Sequence, residues 1–337
     1  MAEEKIRLTE FSKGGGCGCK IAPSVLQQII QPQSHILFPQ LLIGNETNDD
    51  AAVYQISDGT AIISTTDFFL PIVDDAFDFG RIAAANALSD VYAMGGTPLM
   101  AIAILGWPVE KLPVELAKEM LEGGRALCND ASIPLAGGHT IDSNDPIFGL
   151  SVTGTVAVKN LKKNSTAQPG DVLLLTKPLG LGIFSTALKK QLLQEHHYGE
   201  LIKHMTSLNK IGVELAKFNS IHAMTDVTGF GLLGHLIEMA EESGITVELN
   251  YDSIKKMEGV EEYLQQKAIP DATYRNWNSY SSKVQFERGV KVMEAFNLLP
   301  DPQTNGGMLV AVGEDGLDEI KNLFEKNDLE HFTQPIG

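Results

Sequence analysis

Cysteine is scarce: three thiols, Cys17, Cys19 and Cys128, serve 337 residues. So small and odd a number excludes a disulfide framework. Cys17 and Cys19 stand one residue apart, too close for a comfortable bridge in regular backbone. Long apolar runs are missing too, and none approaches the ~18–20 residues that cross a bilayer. Met1 to Thr9 mixes charges of both signs without an apolar stretch. No secretory signal is therefore expected, and the cytoplasm is the expected location. Basic residues are few: 26 Lys and Arg face 43 Asp and Glu, a net charge of −17. That field repels nucleic acid and anionic membranes, and no Lys/Arg run offsets it, so neither is an expected partner. Tandem repeats and low-complexity tracts are absent as well.

What remains is an ordinary globular composition, 43% hydrophobic and 20% charged, long enough for two domains. The first half alternates strands and helices. Residues 59–69 and 99–105 read as strands, and 147–158 as a long β-branched strand. Helices are expected at 78–94, with Asp78 as N-cap and Gly95-Gly96 as the stop, and at 113–129. The polar stretch 159–171 contains a Pro-Gly turn and marks the domain boundary. Beyond it, strands are expected at 172–176, near 221–226, at 245–251 and at 307–313. Helices are expected at 182–195, 199–218, 231–243 and 315–327. The pattern is α+β: two domains, each a sheet covered by helices.

Chemistry concentrates in a few places. Residues 14–20 read Gly-Gly-Gly-Cys-Gly-Cys-Lys. Such a segment is costly to order and free to close over a substrate. It is not a phosphate-binding Walker loop, because Cys19 precedes Lys20 and Ile21 follows it. Cys17 or Cys19 is a candidate thiolate, with Lys20 lowering its pKa and meeting an anion. A zinc half-site and an incidental flexible tail are the alternatives.

Acidic residues sit where elements meet loops: Asp49-Asp50 before Ala51-Ala52-Val53, Asp67 at the end of a strand, and Asp226 at the end of another. Asp90 lies on an alanine-rich helix one turn after Asn86, so both project from one face. Asp is common at such places as a cap or turn former. A carboxylate on an apolar helix is harder to dismiss, because burying it unpaired is expensive. Several carboxylates can converge on a polyphosphate only with divalent cations between them, and Mg²⁺ takes hard oxygen ligands of this kind. That reading reconciles an acidic protein with an acidic nucleotide.

Gly137-Gly138-His139-Thr140 reads as a turn after a short strand, able to set backbone N–H groups and a hydroxyl against a nucleotide. A plain tight turn is the alternative. Pro302 to Gly307 is a similar polar turn. Lys177 is either a phosphate contact or a solvated surface lysine. The remaining histidines, His196-His197 included, read as exposed helix residues, and Cys128 as core.

These pieces, in this order, closely resemble the selenophosphate synthetase (selenide, water dikinase) family. The matching stretches are GCGCK at 16–20, NDDAAVY at 48–54, STTDFF at 64–69 and FDFGRIAAANALSDVYAMGGTP at 77–98. AILGWP at 103–108, AGGHTI at 136–141, MTDVTGFGLLGH at 224–235 and DPQTNGG at 301–307 complete the set. The resemblance implies a two-domain aminoimidazole-ribonucleotide-synthetase-like fold and a homodimer whose N-terminal sheets pair into a barrel, with ATP near the interface. It divides the chain into a catalytic glycine-rich loop at 1–20, an ATP- and metal-binding domain at 21–160 and a C-terminal domain at 161–337. The implied activity is a kinase (phosphotransferase) reaction in which ATP, selenide and water give selenophosphate, AMP and phosphate. Position by position, Cys17 corresponds to the catalytic thiol and Lys20 to its partner near the phosphates. Asp50, Asp67, Asp90 and Asp226 correspond to Mg²⁺ ligands, with Lys20, Asp67, Asp90 and Gly137 to Thr140 at the nucleotide. Lys13 stands where many members carry His, and Asn305 where Ser is usual. Members often continue past Gly337 into a last strand, so an uncovered sheet edge is expected. Another small-molecule kinase or ligase of the same fold has no need of the Cys-Gly-Cys-Lys loop. A non-catalytic nucleotide- or selenium-binding protein has no need of both Cys17 and Lys20.

Overall fold

The structure, a computed structural model, describes residues 6–12, 16–21, 25, 29, 38–44 and 49–337, without the side chains of Cys17 and Cys19. Lys13, Gly14, Gly15 and Asn48 lie outside the described residues. No described helix is long and apolar enough to cross a membrane.

The first half is built on a six-stranded sheet. Its strands are β1 (Leu41–Ile43), β2 (Ala52–Ser57), β3 (Thr60–Phe69), β4 (Thr97–Trp107), β5 (Leu135–Asp142) and β6 (Ile147–Ala157), in the order β1-β2-β3-β6-β4-β5. All neighbours are antiparallel except β4 and β5. Alternation along β3 puts Ala61, Ile63 and Thr65 inside while Ser64, Thr66 and Phe68 face outward. Helices α1 (Ala76–Ala93) and α2 (Val114–Asp130) pack against each other, and α1 lies along β3 and β6. The two helices cross closely because the crossing is lined with glycine. A Cβ on Gly80 would lie 1.8 Å from the Met120 carbonyl oxygen, and one on Gly123 1.9 Å from that of Phe77. The cap of α1 is Asp75, which accepts from the Asp78 amide at 2.9 Å. Asp78, expected as the cap, sits in the first turn and receives the Tyr198 hydroxyl.

The second half holds an antiparallel sheet of β7 (Val172–Leu175), β8 (Ile221–Asp226) and β9 (Met308–Val312), ordered β7-β9-β8. The middle strand is buried along its whole length. Around it lie α3 (Leu181–Lys189), α4 (Glu195–Thr206), α5 (Ile211–Leu215), α6 (Gly231–Ser243), α7 (Val260–Gln265), α8 (Asp271–Tyr280), α9 (Val292–Leu298) and α10 (Leu317–Glu325). The single helix expected at 199–218 is two. Between them Ser207 accepts from Lys177, and Asn209 donates to Ser89 and to the Gly306 carbonyl. The strand expected at 245–251 does not form. The free edge of β7 is taken instead by Ile336 and Gly337, which exchange backbone bonds with Leu173, and residue 250 reaches them through one bond, Asn250 N–H to Ile336 O. Those same bonds cover the edge expected to be open.

The halves are stitched together. Asn86 of α1 accepts from the Asn305 amide at 2.7 Å, Asp49 accepts from the Asn164 amide, and Arg81 donates to Thr206. Asn305 has a φ of +53°, a left-handed conformation that Asn tolerates better than most residues. Its side chain donates to the carbonyls of Met205 and Ser207.

Candidate active site at the junction of the two halves

Three of the four aspartates singled out by the sequence converge. Carboxylate oxygens of Asp50, Asp90 and Asp226 all lie within 4.8 Å of one another. Each arrives from a different element: Asp50 from the bend before β2, Asp90 from the last turn of α1 and Asp226 from the last position of β8. Asp226 is buried, and the other two are half-buried. Thr225 donates to Asp50 at 2.8 Å, and Thr65 of β3 donates to Asp90.

Desolvation pushes all three carboxyls up, Asp226 to about 6. Mutual repulsion adds to the rise at Asp50 and Asp90, whereas a hydrogen bond with Ser89 and the charge of Lys20 moderate it at Asp226. Two of the oxygens, Oδ2 of Asp50 and Oδ2 of Asp226, are buried with no hydrogen-bond partner among the described residues. Repelling carboxylates with unpartnered buried oxygens form a donor set that suits a hard divalent cation.

Asp67 stands beside this cluster rather than in it. Its inward position on β3 brings it to Asn86, which donates to its Oδ2, and its charge raises the carboxyls of Asp90 and Asp226. Asn86 is thus a bridge between Asp67 and the Asn305 turn.

Lys20 lies at the mouth. Its Nζ sits 6.0 Å from the centroid of the Phe230 ring, within cation–π range, and its charge lowers the carboxyls of Asp90 and Asp226. The backbone of Gly16–Cys19 forms a single 3₁₀ turn beside it.

Gly137 to Thr140 are not a turn and do not join the cluster in this chain. They lie within the exposed edge strand β5, three strands from β3. Glycine serves a bulge here: Leu135 pairs with Ala101 and Gly138 with Ala103, and a Cβ on Gly138 would lie 2.2 Å from the Ala103 carbonyl oxygen. A cavity of about 300 Å³ at the C-terminal ends of β4 and β5, lined by Pro108, Lys111, Asp142 and Asn144 among others, holds none of the clustered aspartates.

Other sequence expectations change. Lys177 is buried, neither a surface lysine nor free for a phosphate. Its ammonium donates to the carbonyls of His204, Ser207 and Asn305. Burial pulls its pKa down to about 7, with Asp226 opposing. His197 is buried against Phe184 and Tyr263 rather than exposed. Cys128 is core as expected, and burial pushes its thiol up to about 11. Sequence reasoning missed His235 and Glu238 on α6. Nε2 of His235 accepts from the Thr228 amide, which leaves Nδ1 to face Glu238 at 3.5 Å, and Tyr280 donates to Glu238. Their i, i+3 spacing on an apolar helix was the available signal.

Comparison with known proteins fits this architecture. Residues 48–156 match the AIR synthase related protein N-terminal domain, and residues 168–337 the corresponding C-terminal domain. The chain is 54% identical over 322 residues to the selenide, water dikinase of Escherichia coli strain K12, covering 95% of this chain and 92% of that one. The same figures hold for the selenide, water dikinase of Enterobacter sp. strain 638. Among solved structures, thiamine-monophosphate kinase from Stenotrophomonas maltophilia K279a superposes with a TM-score of 0.63 at 22% identity, covering 86% of each chain. The hydrogenase maturation protein HypE in complex with ATP gives 0.61 at 16% identity over 98% of this chain and 89% of that one. The structures share the fold; the sequence relatives share far more, and on that identity the chain belongs to the selenide, water dikinase family of AIR synthase related proteins.

Proposed function

We infer that the chain makes selenophosphate: ATP, selenide and water give selenophosphate, AMP and orthophosphate. The γ-phosphoryl group goes to selenium, and the β-phosphate leaves after attack by water. The observation that carries the chemistry is the convergence of Asp50, Asp90 and Asp226, two of them with unpartnered buried oxygens, next to the Cys-Gly-Cys-Lys loop. Phosphoryl transfer of this kind needs positioning and charge neutralisation more than covalent chemistry.

In this reading Asp50, Asp90 and Asp226, with Asp67 beside them, hold Mg²⁺. When bound, Mg²⁺ neutralises the polyphosphate and screens it from the acidic protein. Lys20 meets the phosphates from the loop, and Cys17 is the thiol that handles selenium. Residues 1–20 act as the catalytic loop, 21–160 as the nucleotide half and 161–337 as its companion.

The active unit is a homodimer. The face of the six-stranded sheet opposite α1 exposes Tyr54, Ile56, Phe68, Met100 and Ile102, an apolar patch of the sort that marks an interface. Pairing two such faces forms the barrel, and it gives the exposed Gly137–Thr140 strand of a second copy a route to the nucleotide.

Anaerobic ³¹P NMR with ATP, Mg²⁺ and selenide tests the reaction. A selenium-coupled phosphorus signal with equal AMP and orthophosphate is the expected result. ADP as end product, or AMP without selenophosphate, sinks it.

A further inference from the structure

We propose that Arg275 is a positioning residue that seats the Gly16–Lys20 segment against the C-terminal half, keeping Lys20 and the Cys17 position beside the carboxylates. The inference rests on the proposed selenophosphate synthesis for its kinetic consequence, though not for its structural one.

Helix α8 carries Arg275 and Asn276 in succession, and the two side chains tie down three different loops. Asn276 is buried, and its Nδ2 donates to the carbonyls of Gly229 at 2.9 Å and Pro300 at 3.0 Å. Those carbonyls belong to the segment that follows Asp226 and to the segment that enters the Pro302–Gly307 turn. The helix is therefore fixed to the walls of the carboxylate site. Arg275 then reaches outward, and its guanidinium donates to the Gly18 carbonyl at 2.6 Å.

In a chain with 43 acidic side chains, this guanidinium has no carboxylate partner among the described residues and instead binds a loop carbonyl. Gly18 rests on Ala272 of the same helix and on Pro302, each 3.5 Å from where a Cβ would stand. The space left between Gly18, Lys20, Phe230 and Arg275 is about 10 Å³, the scale of a single water. At its other end the segment is tied to the first half by the Gly16 amide, which donates to Leu70 at 3.2 Å. The loop is thus hydrogen-bonded to both halves, and Arg275 supplies the only side-chain bond to Gly18 among the described residues.

The test compares the full-length protein with Arg275→Ala and Arg275→Lys by hydrogen exchange across residues 16–21 and by steady-state kinetics. Loss of one charge-assisted bond at a loop carbonyl should raise exchange there and lower kcat/KM for selenide by about tenfold. The KM for ATP should stay unchanged, and Lys should recover part of both losses. Unchanged loop exchange in Arg275→Ala overturns the proposal. So does a loss shared equally by ATP binding together with faster exchange throughout α8, which marks a residue needed only for folding. A wild-type protein that makes no selenophosphate refutes the reaction instead, while the exchange data still decide whether Arg275 holds the loop.

Discussion

Asp226→Asn in metal-free protein offers the sharpest check on the carboxylate cluster. Three carboxylates share a volume in which every pair lies within 4.8 Å. Two unit charges at that separation repel by about 3–4 kcal/mol at an effective dielectric of 20. Protonation limits the damage. Burial, opposed by the Ser89 hydrogen bond and the Lys20 charge, leaves the Asp226 carboxyl near 6 against an ordinary 3.8. The folded chain therefore holds a proton that the unfolded chain releases from about pH 4 upward. Stability is lost as pH rises through that window, by about 3 kcal/mol once pH exceeds 7. A neutral amide removes the loss, less the cost of an imperfect fit, so Asp226→Asn should be more stable than wild type in EDTA at pH 8 by about 1–3 kcal/mol. For domains of this size that corresponds to a rise in Tm of roughly 3–8 °C. With Mg²⁺ and ATP the order should reverse, because the variant has lost a ligand. Differential scanning calorimetry in EDTA and in Mg·ATP reads both halves of the argument. A variant that melts below wild type in EDTA, or gains as much from Mg·ATP as wild type does, refutes it.

Three further substitutions probe separate links. Cys17→Ser should lower selenide-dependent turnover by about 10²-fold or more while leaving Mg·ATP affinity by calorimetric titration intact; lost ATP binding argues against a catalytic thiol. Glu238, whose carboxyl is raised to about 7 chiefly by burial, costs the fold stability as pH climbs from 4.5 to 7. Glu238→Gln should therefore exceed wild type in urea melts at pH 8 by about 1–3 kcal/mol and match it near pH 4.5; equal midpoints at both pH values would falsify the burial argument. Gly80→Ala places a methyl against the Met120 carbonyl and should destabilise by about 1–3 kcal/mol, read as a lower urea midpoint at constant slope.

Sequence reasoning succeeded where local chemistry and tertiary need coincide. Asp90 stood out because a carboxylate on an alanine-rich helix needs a reason, and the helix does aim it into the junction. It failed where long-range pairing decides. Two consecutive glycines at 137 and 138 look like a turn, yet β4 offers a ladder and the glycines become a bulge within a strand. The alternating residues 245–251 look like a strand, but Ile336 and Gly337 occupy the edge they would have used. Lys177 looks solvated until three backbone carbonyls, from residues 204, 207 and 305, are brought around it. Helix α8 buries Ala272, Thr273, Asn276 and Tyr280, a helical spacing whose residues are too polar to read as a hydrophobic stripe.

The clustered aspartates come from both halves of the chain: Asp50 and Asp90 from the six-stranded side, Asp226 from the three-stranded side. A cation held among them is therefore a rivet across a joint, not a passenger in one domain. Linkage makes the effect mutual. Whatever tightens the joint raises the affinity for the ion, and whatever pries the halves apart releases it. A substitution away from the cluster, at Arg81 on the seam, should thus register first as a weakened appetite for metal.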